Sequence, residues 1–549
     1  MEAENLRWWG WGRRDVSYSL EGRERFWPFL QERLGISGQV VSRPPPLEAI
    51  LLPPSRLTPR DRTHLERLVG PDGCRTDRRT RIEHAYGKGY RDLIRARRGE
   101  FSHPPDAVLY PSDEQQVAAL LAWAAEREVA IIPFGGGSSV TGGVEPPEDR
   151  PAITLDLARL NRVLALDLRS QTATVEAGIL GPDLEAALND QGFTLGHFPQ
   201  SFQFSTLGGW IATRGAGATS IRYGKIEAMV EALRVVTPVG VIETSPLPAE
   251  AAGPDLKALL VGSEGTLGVI TQATLRIHPL PSVRQGEGLL FPSFEAGVEA
   301  VRTMLQSGTP PAMVRLSDAE ETTAYWAFSP THRGWKGVRD RLVAAYLARR
   351  GYGLDQGSCL MVVQYEGSSD EATFQRRTAR RARRAYGGLS LGSGPFRAFY
   401  RDRYATPYLR DLLLDYGLMV DTLETATTWE RLFPLYQALT QAIRRAILVQ
   451  APGALVMTHL SHAYRDGGSL YVTFMGRQAK DPIAQWWMVK RTAMDILITH
   501  GGAISHHHGV GRDHVPWLAR QRGSQGMDAL RALKRTLDPQ GIMNPGVLL

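Results

Sequence analysis

The chain has 549 residues, 43% hydrophobic and 22% charged, with a formal net charge of +7 at neutral pH. That length exceeds what one core usually supports, so two or three domains of an ordinary globular protein are expected, with a soluble enzyme as the default class. Only Cys74 and Cys359 occur, which excludes a disulfide framework and a Cys-based metal site and fits a reducing compartment.

The N-terminal stretch from Met1 to Trp9 has no apolar signal core, and no uncharged run of about 18 apolar residues follows, so neither secretion nor membrane spanning is expected. Residues 1–100 mix Pro, Arg and short apolar pieces and predict an irregular, partly helical region. From Asp113 to Glu128, Val117, Leu120, Leu121 and Ala124 recur at helical spacing behind a capping Asp113, predicting a helix that delivers the chain into a strand at Val129 to Ile132. Short strands are predicted at Ala152 to Leu155, Val163 to Leu166, Ala173 to Ala177, Ala232 to Thr237 and Gly240 to Thr244, interrupted by helical pieces at Pro182 to Asn189 and Pro254 to Leu260. Residues 101–281 therefore read as an α+β domain. Beyond Pro281 the elements lengthen, as in the helices predicted at Ser293 to Gln306 and Trp429 to Ala446, so 282–500 reads as a second α+β domain laid over the first. A C-terminal segment, 501–549, with a helix at Asp528 to Leu537, closes the chain, and there is no internal repeat.

The densest basic cluster is Arg376, Arg377, Arg380, Arg381, Arg383 and Arg384. At this spacing it reads first as a solvated helix face, then as a contact to an anionic membrane surface or substrate. Nucleic acid is disfavoured, because no recognition motif accompanies the charge.

Two loops carry chemistry. In Ser505-His506-His507-His508-Gly509-Val510-Gly511, three adjacent imidazoles cannot share one face of a helix or strand. The run therefore lines a polar pocket, or else forms a metal-binding tract or solvated loop. In Pro133, Phe134, Gly135, Gly136, Gly137, Ser138 and Ser139, successive glycines let backbone N–H groups turn inward around an anion such as a pyrophosphate, a tight turn without ligand being the alternative. This loop is neither a Rossmann turn, having Val140 where the third Gly belongs, nor a P-loop, having Gly143 in place of the Lys. Two further small-residue clusters run from Phe204 to Gly217 and from Gly262 to Ile270.

In this order and spacing, the three segments resemble the FAD-binding domain of the vanillyl-alcohol oxidase flavoprotein superfamily. The resemblance implies a PCMH-type FAD-binding domain of two α/β subdomains, an α+β cap over the substrate, helical terminal segments, and noncovalent FAD. Carried over by position, the cofactor would be held by Pro133 to Ser139; by Gln200, Ser201, Phe202, Gln203, Phe204, Ser205 and Thr206; by Thr213, Arg214, Gly215 and Ala216; and by Glu264, Gly265, Thr266, Leu267, Gly268, Val269 and Ile270.

Within that superfamily the chain is similar to the alkyldihydroxyacetone-phosphate synthases almost throughout, from Trp9-Gly10-Trp11-Gly12 through Val314-Arg315-Leu316, Tyr408-Leu409-Arg410-Asp411 and Glu424-Thr425-Ala426 to the histidine run. The resemblance implies that the acyl group of 1-acyl-dihydroxyacetone phosphate is exchanged for the alkyl group of a long-chain alcohol, without net oxidation. It places the catalytic tyrosine at Tyr471, the substrate-binding arginine at Arg410, a further essential arginine at Arg315 and functional histidines at His506, His507 and His508. A phenol with a pKa of about 10 needs cationic or hydrogen-bonding neighbours to act as a base, which the histidines are expected to supply. A homodimer, a cytoplasmic location and a peripheral membrane contact complete the expectation. Thr473, where the family favours a second aromatic, the tail Met543-Asn544-Pro545-Gly546 and the lack of a peroxisomal signal depart from the pattern.

Two rivals stand beside this reading. The first is an FAD-dependent D-2-hydroxy-acid dehydrogenase, which carries Glu-His-Gly where this chain has His507-His508-Gly509, and a metal motif ending in His where His462 to Tyr471 ends in Tyr. Losing one carboxylate and one imidazole would dismantle its divalent-metal site, so no metal is expected here. The second is a non-catalytic flavoprotein at a membrane surface, using Trp8, Trp9, Trp11 and the arginine cluster, although a buried aromatic staple is the commoner fate of such tryptophans.

Overall fold

The computed structural model describes residues 5–549, apart from the side chain of Lys336; Met1 to Glu4 of the N-terminal stretch lie outside the described residues. Four short strands form a first sheet in the order Cys74–Arg75, Ala107–Leu109, Ala152–Asp156, Ala130–Phe134, the last three parallel. Their near-continuous apolar sequences suit a sheet covered on both faces. The expected helix is Glu114–Arg127: the Asp113 carboxylate accepts the Gln116 N–H at its start, and Val117, Leu120, Leu121 and Ala124 are buried in the same core as the sheet.

A second sheet is antiparallel, in the order Val163–Asp167, Thr172–Glu176, Val269–Arg276, Val230–Thr237, Gly240–Glu243. Every short strand predicted between 152 and 244 forms, as do the helices Gly181–Asn189 and Leu256–Leu260. The central strand, Val269–Arg276, was not foreseen, because the glycines before it dominated the sequence pattern.

The third sheet has seven antiparallel strands, ordered Leu389–Ser390, Val283–Phe291, Cys359–Gly367, Met313–Ser317, Ala454–Ala463, Gly467–Arg477, Leu418–Thr428. Leu470, Val472 and Phe474 point into a core shared with the helices Phe294–Gln306, Ser369–Ala385, Trp429–Leu448 and Pro482–Thr499. Alternation along the strand sends Ser469, Tyr471 and Thr473 to the opposite face. One side of this sheet is thus structural and the other free for chemistry, and the whole is an α+β fold.

The C-terminal segment returns to the first sheet, where Ile131 N–H donates to the Ile542 carbonyl and Asn544 N–H to that of Ile131. The predicted helix at 528–537 is the second half of Val515–Leu537, which kinks at Gly523 (φ 73°). On Ser369–Ala385, Ala372, Gln375, Ala379 and Ala382 are buried while most of the arginines face solvent, so the cluster is a solvated face.

Trp8 and Trp11 do not form a membrane surface. They are only 5% and 6% exposed, and their indoles meet Phe101 and Phe204 edge-on. Among the described residues, no helix is long and apolar enough to cross a membrane.

Candidate active site

All four expected cofactor segments converge. A Cβ on Gly136 would collide with the Phe204 carbonyl and one on Gly135 with Thr206 Oγ1, so the glycine loop lies directly on the 200–206 segment. Gly265 approaches the Pro133 ring, and Glu264 N–H donates to the Ala212 carbonyl, tying the third segment to the one that precedes 213–216. Among the described residues, the N–H groups of Gly135 to Ser139 donate to no group of the chain. That row of free donors fits a pyrophosphate. Several side chains in these ranges belong to the scaffold instead. Leu267, Val269 and Ile270 lie in cores, Phe134 and Phe202 pack on His84 and Tyr404, and Arg214 donates to the Ala258 carbonyl.

The histidine run wraps around a buried carboxylate on another strand, that of Glu424. Oε1 accepts from Ser505 Oγ at 2.8 Å, His507 N–H at 3.1 Å and His508 N–H at 2.8 Å, while Oε2 accepts His506 N–H. Burial alone would raise its pKa; the donors of 505–508, joined in acid by the His508 and His506 rings once these are protonated, outweigh it and hold the carboxyl at about 2. The Gly-x-Gly turn beyond is pinned in the same way by Glu264, whose two oxygens accept Val510 N–H at 2.7 Å and Gly511 N–H at 2.8 Å. With only those two donors against burial, Glu264 is pushed up to about 7.

The imidazoles themselves are crowded. His506 Nε2 lies 2.5 Å from Tyr464 Oη, and His506 Nδ1 lies 2.9 Å from His507 Nδ1. Burial pushes all three rings below the usual histidine range, and for His506 and His507 their mutual proximity adds to it. They are therefore uncharged at neutral pH, so of the cationic or hydrogen-bonding neighbours expected for Tyr471 they can supply only the second kind. The missing carboxylate of the dehydrogenase motif does arrive, from Glu424, and ligand atoms of Glu424, His506 and His507 lie within 4.8 Å of one another. Both carboxylate oxygens and both His506 ring nitrogens are, however, already engaged within the chain.

Tyr471 sits between Glu424 and His459 as a cross-strand neighbour of both, with the His459 ring stacked on its own at 4.8 Å. A bulge at Ser461 pairs His462 with Ser469 and so brings it to the same face. His508 stands edge-on to Tyr471 at 5.7 Å and His507 lies near-parallel at 6.1 Å. Arg315 reaches Tyr471 only through His459: Arg315 Nη2 is 2.8 Å from Glu321 Oε1 and 3.0 Å from His459 Nδ1. Burial would raise Glu321, but Arg315 and His459 hold it below the usual carboxylate range.

Arg410 lies on the helix Thr406–Asp415. Its Nη1–H donates to the Lys88 carbonyl at 2.8 Å, and its buried Nε has no partner among the described residues. Burial raises the Tyr471 pKa, while the Thr422 hydroxyl and the charge of Arg410 draw it down. Lys88, buried, is pushed down to about 8. Sequence reasoning missed His459, Glu321, Glu424 and Lys88 as participants. The Glu424-Thr425-Ala426 motif had pointed to one of them without assigning it a task.

Two family models match, "FAD linked oxidases, C-terminal domain" over residues 280–548 and "FAD binding domain" over 105–245. An alkyldihydroxyacetonephosphate synthase of Trypanosoma brucei brucei is 37% identical across 100% of this chain and 92% of its own length. That of Dictyostelium discoideum is 36% identical across 95% and 87%. A solved alkyldihydroxyacetonephosphate synthase structure superposes with a TM-score of 0.84 at 33% identity, over 99% of this chain and 98% of that one.

The depressed Glu424 pKa gives a signed expectation. The carboxylate stabilises the fold fully above its ordinary value of 4.5, and that stability is lost as pH falls towards about 2. Glu424→Gln should therefore be less stable than the parent at pH 7 by on the order of 1–3 kcal/mol, the part due to the neutral donors of 505–508, and the gap should close as pH falls from ~4.5 towards ~2 in urea melts. A gap independent of pH would assign the loss to packing.

Proposed function

Because the chain belongs to the alkyldihydroxyacetonephosphate synthase family, we propose that it forms an ether bond, exchanging the acyl group of 1-acyl-dihydroxyacetone phosphate for the alkyl group of a long-chain alcohol. The observation that supports this most is that Tyr471, ringed by uncharged imidazoles, feels the charge of Arg410, whose buried Nε keeps an unused donor. A group able to move a proton thus lies within the electrostatic reach of a group able to bind an anion.

The tasks divide among this chain's residues. Arg410 grips the substrate phosphate in the bidentate manner of a guanidinium. Tyr471 removes the C1 proton, its ionised form favoured by Arg410 and Thr422 and disfavoured by burial. His508 and His507, uncharged, take hydrogen bonds or a proton next to it, and Arg315 steadies His459 behind the phenol through Glu321. Pro133 to Ser139 and the segments packed on them would hold FAD, which when bound would supply a flavin ring for reversible chemistry without net oxidation. The flavin is noncovalent and the protein a homodimer in this reading: denaturant should release all flavin, and light scattering should give twice 60.6 kDa.

The long-chain substrates come from a bilayer, and the helix Gly334–Arg349 is suited to touch one. Among the described residues none of its side chains is buried; Trp335 is 88% exposed, with Leu342, Val343 and Tyr346 also exposed and Arg339, Arg341 and Arg349 among them. Trp335→Asp with Leu342→Asp should abolish co-sedimentation with anionic liposomes while leaving bound flavin intact. Equal sedimentation of parent and variant would remove this helix from the contact.

The reaction is tested anaerobically with acyl-dihydroxyacetone phosphate and a labelled long-chain alcohol. Label in an ether lipid, with fatty acid released and no electron acceptor consumed, is expected. Bleaching of the flavin by D-2-hydroxy acids, without ether product, would make the protein a dehydrogenase. Tyr471→Phe should keep its flavin and lose about 100-fold or more in turnover. Arg410→Ala should chiefly raise KM for the phosphate-bearing substrate.

A further inference from the structure

We infer that the N-terminal segment Arg7 to Arg13, with its Trp-Gly-Trp-Gly core, is a clamp that positions Arg410, and that Asp411 is the anchor through which it acts. The inference rests on the reading of Arg410 as the phosphate-binding group. Asp411, the residue after Arg410, is buried, and its Oδ2 accepts the Trp11 N–H at 2.7 Å and Arg7 Nη1–H at 3.1 Å. Two residues before Arg410, Tyr408 Oη accepts the Arg13 N–H at 3.1 Å, and the Arg7 guanidinium lies over the Tyr408 ring. The segment thus grips the helix on both sides of the arginine.

Both glycines are required for that grip. A Cβ on Gly10 would strike the Asp411 carboxylate, and one on Gly12, which adopts φ +63°, would strike Tyr408 Oη. The grip also closes on itself. Lys88 Nζ donates to the Arg7 carbonyl at 3.2 Å, and the Lys88 carbonyl accepts from Arg410. Arg7 therefore holds both neighbours of Arg410, Lys88 on one side and Asp411 on the other. The Trp11 indole meets Phe204 edge-on at 5.7 Å, which carries the clamp to the cofactor segment. The helix Thr406–Asp415 has no side-chain cap of its own at its N-terminus, so its placement depends on such tertiary contacts.

The test uses the full-length, FAD-loaded protein. Dihydroxyacetone phosphate is titrated into the parent, Asp411→Asn, Gly12→Ala, Arg410→Ala and the double variant Asp411→Asn/Arg410→Ala, and its Kd is read from the perturbed flavin absorbance. Flavin content and hydrogen exchange of residues 406–415 are measured in parallel. Asp411→Asn, the shape-preserving variant, should raise Kd about tenfold with flavin content unchanged, and the double variant should be no worse than Arg410→Ala, because positioning an absent side chain has no effect. Gly12→Ala should do the same where it folds. An unchanged Kd in Asp411→Asn, or an additive loss in the double variant, overturns the clamp. If the parent itself gives no response to dihydroxyacetone phosphate, the phosphate reading of Arg410 fails separately. Exchange at 406–415 then judges the clamp: faster in Asp411→Asn supports it, unchanged overturns it.

Discussion

The active-site face depends on one buried carboxylate. Glu424 has no solvent to offset its charge, and an ionised group in that position is costly unless donors surround it. The chain supplies four donors from four consecutive residues, one hydroxyl and three backbone N–H groups. Such a cluster can form only if 505–508 leaves regular secondary structure and curls around the acid. The irregular loop is therefore a consequence of the charge it solvates. Because the backbone meets the acid, the imidazoles are left free to project beside Tyr471, the residue paired with Glu424 on the next strand.

That arrangement also fixes the protonation of the site. Three imidazoles packed into a buried loop cannot all be charged, and burial keeps them neutral. The positive charge that draws the Tyr471 pKa down is that of the Arg410 guanidinium and not of an imidazole. Donor, acceptor and cation are thus distributed over residue types whose charge states survive burial.

The local parts of this design were legible in the sequence. Glu114–Arg127 has a cap and a complete apolar stripe within its own window, and the short strands after it are bounded by turns. The glycine loop and the histidine run were likewise visible because unusual composition marks unusual backbone. What escaped was non-local. His459 looks like any histidine in a strand until the pairing with Tyr471 is known, and His462 shares its face only through a bulge that no period-2 pattern announces. Glu321 reads as an ordinary first-turn acid of a helix, and only the fold brings Arg315 and His459 to it. The tryptophans near the N-terminus left two readings open for the same reason: aromatic residues between glycines suit a membrane surface as well as the buried staple that Trp8 and Trp11 form.

The strap and the histidine loop come from opposite ends of the chain and act on the same sheet face. Arg7 to Arg13 fastens the helix that carries Arg410, and 505–511 fastens the imidazoles, each through a buried carboxylate supplied by the large sheet domain. Glu264, from the cofactor domain, secures the end of the histidine loop in turn. Neither domain therefore holds the complete site alone. Sequence separations of this size give each contact a loop-closure cost that local contacts do not carry. The reactive face is therefore built from both sheet domains and both ends of the chain, so Tyr471 meets its imidazoles only through contacts that span the whole fold.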